Sequence, residues 1–555
     1  MGGTNMMPDL SARIEELTVT LTEQPSVLNT PDELRMAALV HDLLAQMPYF
    51  KAHPNLLCYL DARGDRLGRR SVMAVLRGEK DDSRRTVICV GHMDTVGVSD
   101  YGALRPWAHR PRELAEKLRE MENLPPECRR DLESGDYLFG RGVFDMKAGD
   151  AVLLALMEFL SADPRAFSGN LIFLGVCDEE GGSAGMLSAV TALRALQDSG
   201  DYDFRALLDT DYMTGEYAGD GNKYIYVGTV GKLLPAFYVV GKETHVGESF
   251  KGLDPNQIAA AITAEIDLNP DYCDTAEGET TLPPVALRQR DLKPEYSVQT
   301  AGTALVYFNY ATHCSTPDQV LARMTGAAEK AMDRTLAALQ ARYDRYCALS
   351  RRPRQQLPWR TRVLTFAELC ARVRAERGAE LDAQMEALAK RLAAEEGLDA
   401  REQSLRLVEL VHSLWSDRDP AVIVCFFPPY YPHIYVEGTR EKERELLAAA
   451  RRTVAETAGE DRLVWKKFFP YISDLSYAAA PREPRVVAAL RDNLPGFGVT
   501  YDLPLADMQA LDLPVLDIGT FGHDAHKFTE RLEKNYSFHV TPELVLRTIL
   551  NLLEK

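Results

Sequence analysis

Gly140-Arg141-Gly142-Val143-Phe144-Asp145-Met146-Lys147-Ala148-Gly149 stands between a polar, proline-containing stretch (103–138) and a strongly apolar run (151–160). The glycines ahead of Asp145 let the backbone bend sharply. Lys147, Ala148 and the apolar residues after them start a helix with a buried face. Asp145 is therefore expected on a turn at the mouth of a helix. A lone aspartate in such a place usually caps the helix. Its companions give it another meaning. His92-Met93-Asp94 ends an apolar strand upstream, Asp178-Glu179-Glu180-Gly181-Gly182 ends another downstream, and His523-Asp524-Ala525-His526 lies near the C-terminus.

Working outward from this turn, Thr86-Val87-Ile88-Cys89-Val90-Gly91 is a continuous apolar run, as expected of a strand buried on both faces of a parallel sheet. A helix over 147–161, a strand over 170–176, a helix over 184–197 and a strand over 205–208 follow. This alternation predicts an α/β fold, with a mostly parallel (mixed) sheet flanked by helices. Ligands of such sheets bind outside the carboxyl ends of the strands. His92, Glu179, Glu180, Asp209 and Asp211 all fall at such ends.

The texture changes after residue 222. Strand-like stretches at 224–227, 233–240 and 303–310 surround a helix over 252–268, and Thr316-Pro317-Asp318 opens a long helix. Four parts are expected: residues 1–222 as the first part of a catalytic domain; 223–345 as an inserted α+β lid or dimerisation-type domain; 346–416 as a helical insertion; and 417–555 as the second part of the catalytic domain. The last part should hold a strand at 421–427, a helix at 441–458, a strand at 515–518 and a helix at 542–553.

The 64 basic and 82 acidic side chains leave a net charge of −18, which repels nucleic acid and anionic lipid. No apolar run reaches the length needed to span a membrane, and residues 1–9 lack the basic and apolar segments of a secretory signal. The nine cysteines are scattered singly with no Cys-x-x-Cys pair. That suggests neither a thiolate zinc site nor a disulfide framework, and a cytoplasmic protein is expected.

The constellation itself is a mixed nitrogen and oxygen ligand set. His92 and Asp94 share one face of a strand, so the aspartate can fix the imidazole tautomer that frees the other nitrogen. Adjacent Glu179 and Glu180 point apart on extended backbone, so one can bind metal while the other works on a water. Two imidazoles with several carboxylates suit zinc, and also cobalt or manganese. With this many carboxylates two divalent ions can sit together, bridged by a carboxylate, and such a pair activates water and polarises a carbonyl.

Gly91-His92-Met93-Asp94-Thr95-Val96, the Gly140–Gly149 stretch and Asp178-Glu179-Glu180-Gly181-Gly182 together resemble the co-catalytic zinc metallopeptidase family of aminoacylase, acetylornithine deacetylase, succinyl-diaminopimelate desuccinylase and glutamate carboxypeptidase. Gly228-Thr229-Val230-Gly231-Lys232-Leu233-Leu234-Pro235 and Asp524-Ala525-His526-Lys527-Phe528-Thr529-Glu530-Arg531 bring it nearest to the arginine-utilisation type. The wider resemblance covers 10–330 and 421–555. It implies that Asp145 bridges two metals. His92 and Asp211, preferred over Asp209, complete one site. Glu180 and His526, preferred over His523, complete the other. Glu179 is implied as general base and Asp94 as the residue orienting His92. His245, in Gly241-Lys242-Glu243-Thr244-His245-Val246-Gly247, is implied to contact the scissile carbonyl oxygen and bind substrate. Ser473-Asp474 resembles a turn beside the active site.

One departure stands out. Relatives carry Asp-x-Arg at the end of a small-domain strand, where the arginine binds a substrate carboxylate, but this chain reads Phe308-Asn309-Tyr310-Ala311-Thr312. The function expected is metal-dependent hydrolysis of an amide bond in a small peptide or N-acyl amino acid, in arginine or amino-acid catabolism. An aminopeptidase of the same fold and a non-catalytic metal-binding accessory protein are the alternatives, and a homodimer is compatible with the resemblance.

Overall fold

The computed structural model describes residues 9–395, 397–457 and 463–554. Residues 1–8, where a secretory signal was sought, and Ala458, the expected end of the 441–458 helix, lie outside them. The chain divides into two compact units. The first comprises 1–229, 434–480 and 504–555, and the second 230–433 and 481–503.

The first unit is built on an eight-stranded mixed sheet. Its order is Leu57–Asp61, Arg70–Arg77, Asn170–Val176, Arg85–His92, Asp203–Asp209, Val515–Asp517, Lys223–Tyr226 and Leu463–Lys466. The four strands from Asn170–Val176 to Val515–Asp517 run parallel. Asn170–Val176 is buried at every position, as its unbroken apolar run requires. Register then places the site. His92 pairs with Val176, and Asp209 pairs with both Val90 and Asp517. The carboxyl ends of adjacent strands are thereby brought level.

Helix Lys147–Ala162 packs against those ends and is buried over most of its length. Gly149 permits the approach, because a β-carbon there would lie 2.3 Å from the Thr210 carbonyl oxygen. The residue just ahead of the helix, Asp145, is thus pinned over the strand ends.

The second unit holds a five-stranded sheet in the order Val285–Asp291, Thr303–Thr312, Gly231–Val240, Ala421–Tyr431 and Val363–Thr365. Alternate residues of a strand face opposite ways. Leu234, Ala236, Tyr238 and Val240 share a core with Leu369, Val373, Leu381, Leu405 and Val408 from helices Phe366–Arg377, Ala379–Ala394 and Ala400–Leu414. Their neighbours Phe237 and Val239 are buried as well, and helices Pro255–Ile266 and Pro317–Ser350 pack on the same sheet. The stretch 346–416 is therefore part of the second unit's own core, not a separate insertion.

Two further boundaries differ from expectation. Lys223–Tyr226, read as the start of the insertion, belongs to the large sheet, and the break falls between 229 and 230. Ala421–Tyr431, read as a return to the catalytic domain, pairs with Gly231–Val240, so the chain returns at 434. β-Texture alone does not say which sheet a strand joins.

A loop of this unit is fastened by one carboxylate. Asp274 Oδ2 accepts the backbone N–H groups of His313, Cys314 and Ser315 at 2.9, 2.8 and 2.7 Å, and Oδ1 accepts the Ser315 hydroxyl at 2.8 Å. Burial pushes the Asp274 pKa up, but these donors win and hold it at about 2.

Candidate metal centre

Asp145 is not used as a helix cap. Its Oδ1 lies 3.0 Å from His92 Nε2, and its Oδ2 lies 2.9 Å from His526 Nε2. His526 Nε2 is also 2.8 Å from Glu180 Oε1. Ligand atoms of His92, Asp145 and Glu180 all lie within 4.8 Å of one another, an arrangement that could hold a metal ion. Four chain segments far apart in sequence thus converge on one carboxylate.

The electrostatics describe a centre short of positive charge. Burial opposes a charged ring at His92, yet Asp145, Glu179 and Asp211 around it push its pKa well above the ordinary value. Burial likewise opposes charge on His526, and Asp145 and Glu180 overcome it, lifting the pKa to about 11. Burial raises Asp145, but hydrogen bonds from His526 and His92 pull it below the usual carboxylate range. Burial raises Glu179, Glu180 and Asp211, and neighbouring carboxylates raise each of them further. Glu179 Oε1 is buried with no hydrogen-bond partner among the described residues. Such a crowd of carboxylates favours a divalent cation at its focus.

A family model described as peptidase family M20/M25/M40 matches residues 88–496. The chain belongs to that family. It is similar to protein RocB of Bacillus subtilis, with 34% identity over 98% of this chain and 95% of RocB. A succinyl-diaminopimelate desuccinylase of Psychrobacter arcticus is 25% identical over 61% of this chain and 74% of its own. Among solved structures, a tripeptidase from Staphylococcus aureus superposes with a TM-score of 0.53 at 12% identity, covering 98% of this chain and 99% of that one. That likeness concerns the fold. The α/β architecture expected from the sequence is the one these M20 relatives have.

Within this M20 chain the two doubtful pairs occupy different surroundings. Asp209 Oδ2 accepts the Ser473 hydroxyl at 2.9 Å and its Oδ1 accepts the Thr210 N–H at 2.8 Å, and it too feels the charge of His92. Asp211 feels the charges of Asp145 and His92. His523 stacks with Tyr137 and meets Phe521 edge-on, whereas His526 meets the Asp145 and Glu180 carboxylates. His526 takes a left-handed backbone (φ 65°) to do so.

Asp94 acts differently from the reading above. The His92 ring nitrogen Nδ1 meets the Asp94 backbone carbonyl at 3.1 Å, while the Asp94 carboxylate is 4.0 Å away. That carboxylate instead accepts the backbone N–H groups of Glu179 and Glu180, both at 3.1 Å. It therefore positions the two glutamates, which lie in a turn and not on extended backbone. His245 sits in the second unit, exposed, with Nδ1 accepting the Gly247 N–H at 3.1 Å. In the stretch that replaces Asp-x-Arg, the Tyr310 hydroxyl accepts from Arg323 at 2.7 Å.

Several supporting residues have partners that were not read from the sequence. Glu530 Oε1 accepts from the Phe144 and Asp145 N–H groups at 3.3 and 3.4 Å, while its Oε2 takes Arg141 Nη1 at 2.6 Å. Arg141 also grips Asp100. Arg69 binds Asp178 and Asp65 and lies 3.3 Å from Glu33, bracing the turn that carries the glutamates. Asp150 and Lys147 are buried in the helix after Asp145, where burial raises the acid to about 8 and lowers the amine to about 7. Buried charges are ordinarily paired or bound to metal. Charge pairing at these positions was invisible because the partners are remote in sequence.

Proposed function

We propose that this chain is a metal-dependent hydrolase that cleaves an amide bond in a small peptide or N-acyl amino acid. The observation that carries the reading is the convergence of His92, Asp145, Glu180 and His526 beside a buried Glu179 oxygen that has no partner among the described residues. The donor set suits two divalent ions, zinc first, with cobalt and manganese as alternatives. His92, Asp145 and Asp211 would hold one, and Asp145, Glu180 and His526 the other. Bound there, such ions supply Lewis acidity toward the carbonyl and acidify water.

The chain's own residues do the remaining work. Asp145 spans the two ligand groups because a carboxylate has two oxygens to offer. Asp94 fixes the turn that sets Glu179 and Glu180 in different directions. Glu179, raised by burial and by its acidic neighbours, is assigned as the general base. It takes a proton from the attacking water and passes it to the leaving nitrogen. Ser473 donates to Asp209, and Asp211 is assigned to the ligand set. His245 is assigned to oxyanion stabilisation.

The likeness to the arginine-utilisation type supports a substrate drawn from arginine or other amino-acid catabolism, in the cytoplasm, and the family supports a homodimer. No helix among the described residues is long and apolar enough to cross a membrane. Hydrolysis of a panel of peptides and N-acyl amino acids, with zinc or manganese supplied and then chelated, tests the proposal. Metal-dependent release of free amine is expected. Stoichiometric metal binding with no turnover on any member would leave the accessory-protein reading in its place.

A further inference from the structure

An aromatic ladder leads away from the ligand turn within the first unit. Phe144 precedes Asp145 in the chain and lies 4.8 Å, ring centre to ring centre, from Tyr212. Tyr212 in turn lies 5.1 Å from Tyr471, with the rings inclined by 31°. Phe469 meets both tyrosines edge-on, at 6.2 and 5.5 Å. Exposure grows along the ladder: Phe144 and Phe469 are fully buried, Tyr212 is 8% exposed and Tyr471 39%.

Core packing accounts for the buried members. It does not account for the last one, a large ring left partly in water yet held from two sides. Tyr212 backs it and Phe469 fixes its edge. The ladder's first two members adjoin Asp145 and Asp211 in the chain. The charges of Asp145 and Glu180 act on Tyr212, and that of Asp145 acts on Tyr471, each adding to the effect of burial in raising the phenol. A ring immobilised in this way offers a flat face with little conformational entropy left to lose on binding.

We infer that Tyr471, backed by Tyr212 and Phe469, is a stacking shelf for a ring-bearing side chain or acyl group of the substrate. This rests on the hydrolase reading and adds a substrate class to it. Ring faces prefer ring partners in offset or edge-on geometry beyond the area they bury. An aliphatic group of equal size keeps the burial and loses that preference. The shelf therefore discriminates between a phenyl and a cyclohexyl group, which a merely apolar wall would not.

The test compares N-benzoyl with N-cyclohexanecarbonyl amino acids, using zinc-loaded full-length protein. Two readouts are needed: kcat and KM for the parent, and calorimetric binding to Glu179→Gln, which requires no turnover. The parent should favour benzoyl by about 2- to 10-fold, mainly through KM. Tyr471→Phe should keep the preference and Tyr471→Ala should abolish it, with metal content and far-ultraviolet circular dichroism unchanged in both. Equal handling of the two acyl groups by the parent, or an undiminished preference in Tyr471→Ala, overturns the shelf while leaving the hydrolase intact. Absence of turnover on every member, together with absence of binding to Glu179→Gln, overturns both.

Discussion

Asp274 in the second unit and Glu179 in the first are both buried carboxylates in loops, and the protein treats them in opposite ways. Three backbone N–H groups and a hydroxyl converge on Asp274, and its pKa falls to about 2. Glu179 has an oxygen with no donor among the described residues, stands among other acids, and is pushed well above the ordinary range. One carboxylate stabilises the fold by being charged. In the other, burial and acidic neighbours work against the charged form. A protein that can saturate one acid with donors and leaves another without them is keeping the second for chemistry.

The largest effect that would break this comparison lies at Glu179. Glu179→Gln keeps the shape and removes the basic site, so turnover should fall by about 10²–10⁴-fold with metal content unchanged. Glu180→Gln should instead weaken metal binding and be partly rescued by excess metal. If the rescue appears in Glu179→Gln, the two roles are reversed.

His245→Ala comes next. Loss of an oxyanion contact costs roughly 10²–10³-fold in turnover. Its unit contains none of the proposed ligands, so elemental analysis should find the metal content of the parent. Loss of metal in this variant would make His245 a ligand.

Metal removal asks whether the acid centre destabilises the empty protein. A cation that binds only the folded state stabilises it by about 2.7 kcal/mol at one hundred times its Kd. Thermal unfolding with and without zinc should show a clear rise in Tm for the parent and a much smaller one for His526→Ala. Equal shifts in the two proteins would remove His526 from the ligand set.

The smallest and most local test is Asp274 itself. Asp274→Ala should cost about 3 kcal/mol, since it strands several buried donors, without changing metal affinity. The pH dependence has a definite sign. A carboxylate held below its ordinary value of 3.8 contributes stability above that value and loses it as pH falls toward about 2. The stability difference between the parent and Asp274→Asn, followed by chemical unfolding, should be flat above pH 4 and shrink below it. A difference that grows on acidification would mean that the donors do not favour the charged form.

The sequence was informative where chemistry and periodicity coincide. The strand ending at His92, the turn at Asp145 and the Glu179-Glu180 pair each follow or precede a continuous apolar run, so element and ligand could be read together. Strand Leu57–Asp61 was not, because it lies at the edge of the sheet and is only partly buried, and Arg70–Arg77 went unread although it is an inner strand with an apolar run. The role of Asp94 was misread because its real partners, the N–H groups of Glu179 and Glu180, are more than eighty positions away. The boundary at 222 failed because Lys223–Tyr226 has the same texture whichever sheet it enters. Arg69 and Glu33 carry no local pattern, Arg141 and Glu530 lie in separate motifs, and only folding reveals that their charges meet.

The Arg141–Glu530 pair bears on how the protein is made. It joins residues 389 positions apart, and Glu530 also takes the N–H of Asp145. During synthesis the turn that presents Asp145 emerges long before its fastening does. A nascent chain halted before residue 526 therefore carries His92 and Asp145, yet lacks both His526 and the Glu530 clamp. Ribosome-bound chains of increasing length should gain tight metal binding only in one late step, after the segment through Arg531 has cleared the exit tunnel.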